Sequence, residues 1–194
     1  MRKLVVCNIM SLDGYYEGPG RNVMVLPMDA SFDEYNLERL RSADTLLLGR
    51  TSYELFMGFW PARADDADAP AVHRETGRIE KEIDKAVVSD TLTPGDIAPW
   101  QDTTTVVRRG DVERWLTDLK QRPGREILTF GSRTLWNQLL AAGLVDELHL
   151  VVGSTVLGAG TPIFGAPVAG LALEDTRRFD GSSNVVLRYA VAHG

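Results

Sequence analysis

Twice in this chain a short apolar run stops at a glycine and passes at once into a helix, and that junction leaves few architectures open. Ile127-Leu-Thr-Phe-Gly-Ser-Arg-Thr-Leu135 breaks at Gly131 and opens a helix at Ser132. Leu46-Leu-Leu-Gly-Arg-Thr-Ser-Tyr-Glu54 breaks at Gly49, with Arg50 beside it. Each junction sets unpaired N–H groups and the positive end of a helix dipole at the end of a strand, which suits an anion. Two such cradles suit a ligand with more than one phosphate, such as a dinucleotide.

The rest of the chain extends the same alternation. Leu4–Met10 reads as a strand buried on both faces, because its apolar run is nearly continuous. A loop rich in Gly and Pro follows from Ser11 to Pro27, and Ser31 to Arg41 reads as a helix with Phe32, Tyr35 and Leu40 inward. Thr45–Leu48 is a second strand, and Thr51 with Glu54 has the capping-box spacing that starts a helix just beyond Gly49. Phe59 to Thr76, rich in Asp, Ala and Pro, reads as a solvated excursion, followed by a short helix carrying Ile79 and Ile83. Strands are expected at Lys85–Val88 and Thr104–Val107, with the turn residues Ser89-Asp90 between them. Val112, Trp115, Leu116 and Leu119 then share one helical face. After the Ile127 strand come Glu147–Val152 and a hairpin, Leu171–Phe179 with Val185–Val191, around Asp180-Gly-Ser-Ser. This order gives an α/β domain over residues 1–194, a mostly parallel sheet flanked by helices with an antiparallel edge at its C-terminal hairpin.

Several chemistries are disfavoured. A net charge of −6 argues against a general nucleic-acid binder, although the local pair Arg108-Arg109 can still recruit a phosphorylated small molecule. The single cysteine, Cys7, allows no internal disulfide and reads as a buried, inert thiol. His73, His149 and His193 show no ligand spacing, and His149, between Leu148 and Leu150, reads as structural; no metal is expected. Gly158-Ala-Gly160 lies too late and in the wrong context for a Rossmann fingerprint. No Walker A or Gly-x-Ser-x-Gly motif occurs, and Ser11, Ser52, Ser89 and Ser132 read as turn and N-cap residues. With no long apolar span and no processing site, the expectation is a cytoplasmic protein without a membrane helix.

Gly49-Arg50-Thr51 and Gly131-Ser132-Arg133-Thr134 stand apart because position and composition agree. Glycine admits a phosphate close to the backbone, hydroxyls and amides donate to it, and a guanidinium adds charge-assisted bonds of ~1.5–3 kcal/mol each. Ser89 ends a third strand, and open α/β sheets gather ligands outside the carboxyl ends of their strands. Well-capped helices that bind nothing remain the plain alternative.

Ser11-Leu-Asp-Gly14, Leu47-Leu-Gly-Arg-Thr-x-Tyr53, Val87-Val-Ser89, Phe130-Gly-Ser132, Gly143-Leu-Val-Asp-Glu147 and Val156-Leu-Gly-x-Gly160 with Phe164 occur in this order. Together they resemble the dihydrofolate reductase-like superfamily, and within it the reductase domain of riboflavin biosynthesis and its stand-alone bacterial relatives. The resemblance implies a dihydrofolate reductase-like fold and an NADPH cofactor with its nicotinamide near the first strand. It implies that Gly49, Arg50 and Thr51 hold cofactor phosphates and that Ser89 approaches the adenosine 2′-phosphate. Gly131, Ser132, Arg133, Thr134 and Leu135 would line the pyrophosphate. Ile9 would flank the nicotinamide, under a loop carried by Tyr16. The zinc deaminase often fused to the riboflavin enzyme needs more cysteines than this chain has.

By the same resemblance, the acid that supports reduction of a C=N bond would sit on the first helix, and an ungapped count back from Gly49 reaches Asp33. Complementing the helix dipole is the alternative role for Asp33-Glu34. The count also brings Arg63 toward a substrate carboxylate, but three aspartates beside it discount that role. The substrate implied is a small heterocycle, pteridine- or pyrimidine-like. A nucleotide-binding module without activity is the rival. Phe56, Phe59 and Trp60 load the Tyr53–Pro61 segment with aromatic surface, for which a homodimer contact and core filling are both open readings.

Overall fold

The strand Leu4–Met10 (β1) is apolar at nearly every position because it has a helical layer on each side. The computed structural model describes residues 1–168 and 170–192, so His193 lies outside the described residues. After β1 come Tyr15–Glu17 (β2), the helix Ala30–Ser42 (α1), Ala43–Gly49 (β3), the helices Arg50–Arg63 (α2) and Ala71–Glu82 (α3), and Asp84–Val88 (β4). Thr104–Val107 (β5), Val112–Gln121 (α4), Glu126–Phe130 (β6), Arg133–Ala141 (α5) and Glu147–Val152 (β7) follow. Thr161–Pro162 (β8), Leu171–Arg178 (β9) and Val185–Val191 (β10) complete the order.

Eight strands form one sheet in the order β5-β4-β3-β6-β1-β7-β10-β9, while β2 and β8 pair separately. The six strands from β5 to β7 are parallel, and β10 runs antiparallel to both β7 and β9. This is the expected α/β architecture, a mostly parallel sheet with its antiparallel hairpin at one edge. The pleat divides β1 between two cores, since successive side chains point to opposite faces. Val5, Cys7 and Ile9 meet Tyr35 and Leu40 of α1 and Tyr53 of α2, whereas Leu4 and Val6 meet Leu116 of α4 and Trp136 of α5. The register sets Cys7 beside Phe130 and Ile9 beside Val151, so the carboxyl ends of β1, β6 and β7 lie side by side. Burial pushes the Cys7 thiol up to about 12, which keeps it protonated.

The segment Phe59–Thr76 departs from expectation. It is the end of α2, a short turn and the start of α3, not a solvated excursion. Helicity there comes from packing: a Cβ on Gly77 would run into the Trp60 carbonyl and the Ala64 backbone, so α3 lies directly on the end of α2. The proposed capping box also fails. Gly49 is the N-cap of α2, Thr51 lies inside the helix, and Glu54 pairs with Arg50 at 2.7 Å. No helix among the described residues is long and apolar enough to cross a membrane.

α3 carries an unusual carboxyl into the interior. Glu80 is 1% exposed, and its Oε2 has no hydrogen-bond partner among the described residues. The neighbouring Lys85 ammonium instead donates to the carbonyls of Glu80 and Ile83, at 2.8 and 2.6 Å. Burial pushes the Glu80 carboxyl up to about 8, opposed by the charge of Lys85. The folded state therefore holds a proton that the unfolded chain releases near pH ~4.3. Its stabilising contribution is complete below that pH and is lost as pH rises through about 8. Glu80→Gln should flatten this fall, read as urea midpoints at about pH 5 and about pH 9; an unchanged slope would contradict the assignment.

Candidate active site at the carboxyl ends of the strands

Two helix starts meet where β3 and β6 end. Gly131 and Ser132 both take left-handed backbone angles, φ +54° and +50°, which is uncommon for a serine. That double turn directs the Ser132 hydroxyl away from its own helix. It accepts the Gly49 amide at 3.0 Å, while the Ser132 amide donates to Ser52 Oγ on α2 at 2.8 Å. Asn8 of β1 donates to the Gly131 carbonyl at 3.2 Å. Ser132 is the N-cap residue of α5 by position, as expected, but its hydroxyl serves the other helix.

Neither Gly49 nor Ser132 supplies a side-chain cap to the helix it opens. The first-turn amides of Arg50, Thr51 and Ser52, and of Arg133, Thr134 and Leu135, have no intrahelical acceptors by the geometry of an α-helix. Both positive dipole ends are thus presented at one place, clamped together by serine hydroxyls. Gly131 keeps the space between them open, because a Cβ there would stand 2.8 Å from Ser52 Oγ and 3.3 Å from the Tyr16 hydroxyl.

The side chains around this junction serve in several ways. Thr51 and Thr134 are exposed, and Leu135 is buried in the core beneath α5, so only its backbone can face a ligand. The Ser89 hydroxyl accepts the amides of Thr91 and Leu92, at 3.2 and 3.1 Å, and shapes the turn after β4. Arg50 reaches that turn, donating to Thr91 Oγ1 at 2.6 Å, and remains 44% exposed in its side chain. Arg133 is engaged with the Pro162 and Phe164 carbonyls, tying β8 to α5. Arg108 donates to the Ser89 carbonyl and Arg109 lies 3.4 Å from Asp90, so this basic pair borders the same turn.

Tyr16 is held over the junction by a clasp. Asp13 accepts from Ser11 Oγ at 2.7 Å and from the amides of Leu157 and Gly158 at 3.0 and 2.7 Å. These bonds, that from Ser11 first, hold its carboxyl down at about 2. Gly160 lies so close to the Glu17 carbonyl that a Cβ would collide with it. The motifs Ser11-Leu-Asp-Gly14 and Gly158-Ala-Gly160 are therefore two halves of one loop clasp. Burial pushes the Tyr16 phenol up to about 12, so it stays a proton donor at neutral pH.

Met28, Phe32, Phe56 and Met57 are partly buried against the core that contains Ile9 and Phe130. The Phe56 and Phe130 rings stand 6.3 Å apart at 45°. Such apolar walls suit the faces of a flat ring. Phe59 is 40% exposed and edge-on to Trp60, and Arg63 lies over Phe59 while pairing with Asp66 at 2.8 Å.

Asp33 is in the first turn of α1, but it is not the helix cap. Asp29 performs that role, accepting the Ser31 and Phe32 amides at 3.0 and 3.1 Å. Asp33 Oδ2 instead meets His73 Nε2 of α3 at 2.8 Å, and the Trp60 ring stands edge-on to that imidazole at 5.4 Å. Burial raises the Asp33 carboxyl above its usual range, opposed by its bond to His73. No spacing along the chain links His73 to Asp33; only the packing of α1 on α3 brings them together. His149 is an internal structural group, bonded to Tyr35 at 2.7 Å and Glu147 at 3.0 Å.

The chain is 28% identical over 165 residues to the uncharacterized protein YyaP of Bacillus subtilis (strain 168), covering 84% of this chain and 80% of that one. Its fold matches a pyrimidine reductase-like protein of Corynebacterium diphtheriae with a TM-score of 0.70 and 17% identity, over 100% of this chain and 93% of that one. It also matches dihydrofolate reductase from Enterococcus faecalis, complexed with NADP(H), with a TM-score of 0.61 and 15% identity, over 97% and 95% of the two chains. The family defined by the RibD C-terminal domain matches residues 2–187, and this chain belongs to it.

Proposed function

We propose that residues 1–194 form one NADPH-dependent reductase domain that transfers a hydride to a pteridine- or pyrimidine-like heterocycle. The observation that carries this reading is the pair of helix starts, locked together through Ser132 and Ser52 and left without side-chain caps. The names of the C. diphtheriae and E. faecalis proteins support the substrate class and the cofactor. The cofactor, when bound, supplies the hydride.

The chain's own residues supply placement and charge. The amides after Gly49 and Gly131 would receive phosphate oxygens, and the Tyr16 phenol beside Gly131 would be a further donor at the edge of the loop that covers the nicotinamide. Arg50, which reaches Thr91 in the Ser89 turn, would meet the further phosphate that distinguishes NADPH from NADH in exchange for its bonds to Glu54 and Thr91. Ile9 sets the floor, and Phe32 and Phe56 hold the heterocycle. Asp33, with His73 behind it, carries the proton required by the ring nitrogen.

Arg50→Ala should weaken NADPH about tenfold or more, if it removes one charge-assisted bond, and should weaken NADH far less. Equal loss for both would place Arg50 elsewhere. The reductase reading is tested by following NADPH oxidation across a panel of dihydropteridines and ribosylaminopyrimidines. Turnover on either class supports it; saturable cofactor binding without turnover on any would leave a nucleotide-binding module.

A further inference from the structure

The first helix starts from a segment pinned on two sides. A Cβ on Gly153, just past β7, would stand 2.5 Å from the Pro27 ring, so the chain leading into α1 lies directly on the end of the sheet. Gly153 is held there by its own amide, which donates to the Met10 carbonyl at 2.8 Å. Val152 pairs with Val185 of β10, and the residue just before Val185 is Asn184. Asn184 is 2% exposed, and its side-chain amide donates to the Pro27 carbonyl at 2.9 Å and to Asp29 Oδ1 at 3.0 Å. Ser182, in the turn between β9 and β10, donates to Asp29 Oδ2 at 2.6 Å and accepts the Asn184 backbone amide at 3.0 Å.

These bonds are additional to what the hairpin needs for its own closure. That is supplied by the β9–β10 ladder and by the Ser182 amide, which donates to the Phe179 carbonyl at 3.3 Å. The side chains of Ser182 and Asn184 converge instead on the residue that fixes the start of α1. The Asp29 side chain accepts the Phe32 amide at 3.1 Å, and the Asp29 carbonyl accepts the Asp33 amide at 3.2 Å. Phe32 and Asp33, early in α1, are the wall and the proton carrier assigned above to the heterocycle. Burial opposes the charge on Asp29, but the bonds from Ser182 and Ser31 outweigh it and hold the carboxyl below its usual range. Asp29 is therefore an ionised acceptor at neutral pH, and hydrogen bonds to a charged group are the strong kind.

We propose that Asn184 and Ser182 are positioning residues for the heterocycle: through Asp29 they fix where α1 begins, and so where Phe32 and Asp33 stand. The proposal rests on the reductase reading. It gives neither residue a contact with NADPH, whose phosphates would lie at the starts of α2 and α5. Misplacing a reacting group by about 1 Å can cost on the order of 10²-fold in rate. A bond lost at the hairpin turn is therefore expected to be read at the heterocycle and not at the cofactor.

The test compares Ser182→Ala and Asn184→Leu with Ser182→Thr, which keeps the hydroxyl, in the whole protein. Leucine is close to asparagine in size and carries no donor. One readout sets kcat/KM for the heterocycle against NADPH affinity. The other is the His73 ring signals by NMR: His73 bonds Asp33 at 2.8 Å, so it reports movement of Asp33 without any turnover. The expected result is a fall of about tenfold or more in kcat/KM, NADPH affinity within about twofold, shifted His73 signals, and parent-like behaviour of Ser182→Thr. His73 signals at the parent's positions, an unchanged kcat/KM, or an equal loss of NADPH affinity would each overturn the proposal. Ser182→Ala decides if Asn184→Leu does not fold. A parent without turnover on any heterocycle overturns the reductase reading instead, and the His73 signals then decide alone whether the hairpin sets Asp33.

Discussion

Gly131→Val is expected to abolish measurable NADPH binding while leaving the sheet folded. Left-handed angles cost a residue with a Cβ roughly 1–2 kcal/mol, and more for a β-branched one. The added carbon would also stand 2.8 Å from Ser52 Oγ, the acceptor of the Ser132 amide. Relief requires Ser52 or the Gly131–Ser132 turn to move, and either movement separates the two helix starts. Loss of binding with a retained far-ultraviolet spectrum is the expected outcome. A variant that binds NADPH as the parent does would show that the cofactor lies elsewhere.

The second large effect concerns the chemical step. Asp33→Asn should lower kcat by ~10²–10⁴, the usual worth of a positioned proton donor, and leave NADPH affinity within about twofold. Helix stability should change little, because Asp29 and not Asp33 accepts the first-turn amides. His73→Leu, which keeps bulk but carries no donor, separates a catalytic from a packing role. The bond to His73 holds the Asp33 carboxyl down against the stronger effect of burial, so removing it should raise that pKa further. The limb of the pH–rate profile that reports Asp33 should then move to higher pH. Loss of kcat and NADPH affinity together, or no change in either, would remove Asp33 from the reaction.

The sheet was legible in the sequence because burial on both faces writes a near-continuous apolar run, as in Leu4–Met10 and Ile127–Phe130. α4 was legible for the complementary reason, one apolar face at helical spacing. The end of α2 and the start of α3 were not, since Asp, Ala and Pro around residue 65 imitate a solvated loop. Their helicity depends on the close approach at Gly77, a tertiary contact.

The site divides in the same way. Each strand–glycine–helix junction is local and could be read directly. The exchange of hydroxyls between them could not, because Gly49 and Ser132 are 83 residues apart. The Asp33–His73 pair spans 40 residues and leaves no spacing signal on either helix. Arg133 shows the limit from the other side: its position beside Gly131 suggested a phosphate ligand, and in the fold its guanidinium holds the Pro162 and Phe164 carbonyls.

The proposed function requires a dinucleotide seated between the two helix starts. Its most direct test is a fluorescence titration with NADPH and, in parallel, NADH, using the four tryptophans as reporters. Saturable quenching that favours NADPH is the predicted result, and its loss in Gly131→Val would place the ligand at the junction. No saturable change with either nucleotide would contradict the account and leave the fold without its assigned ligand.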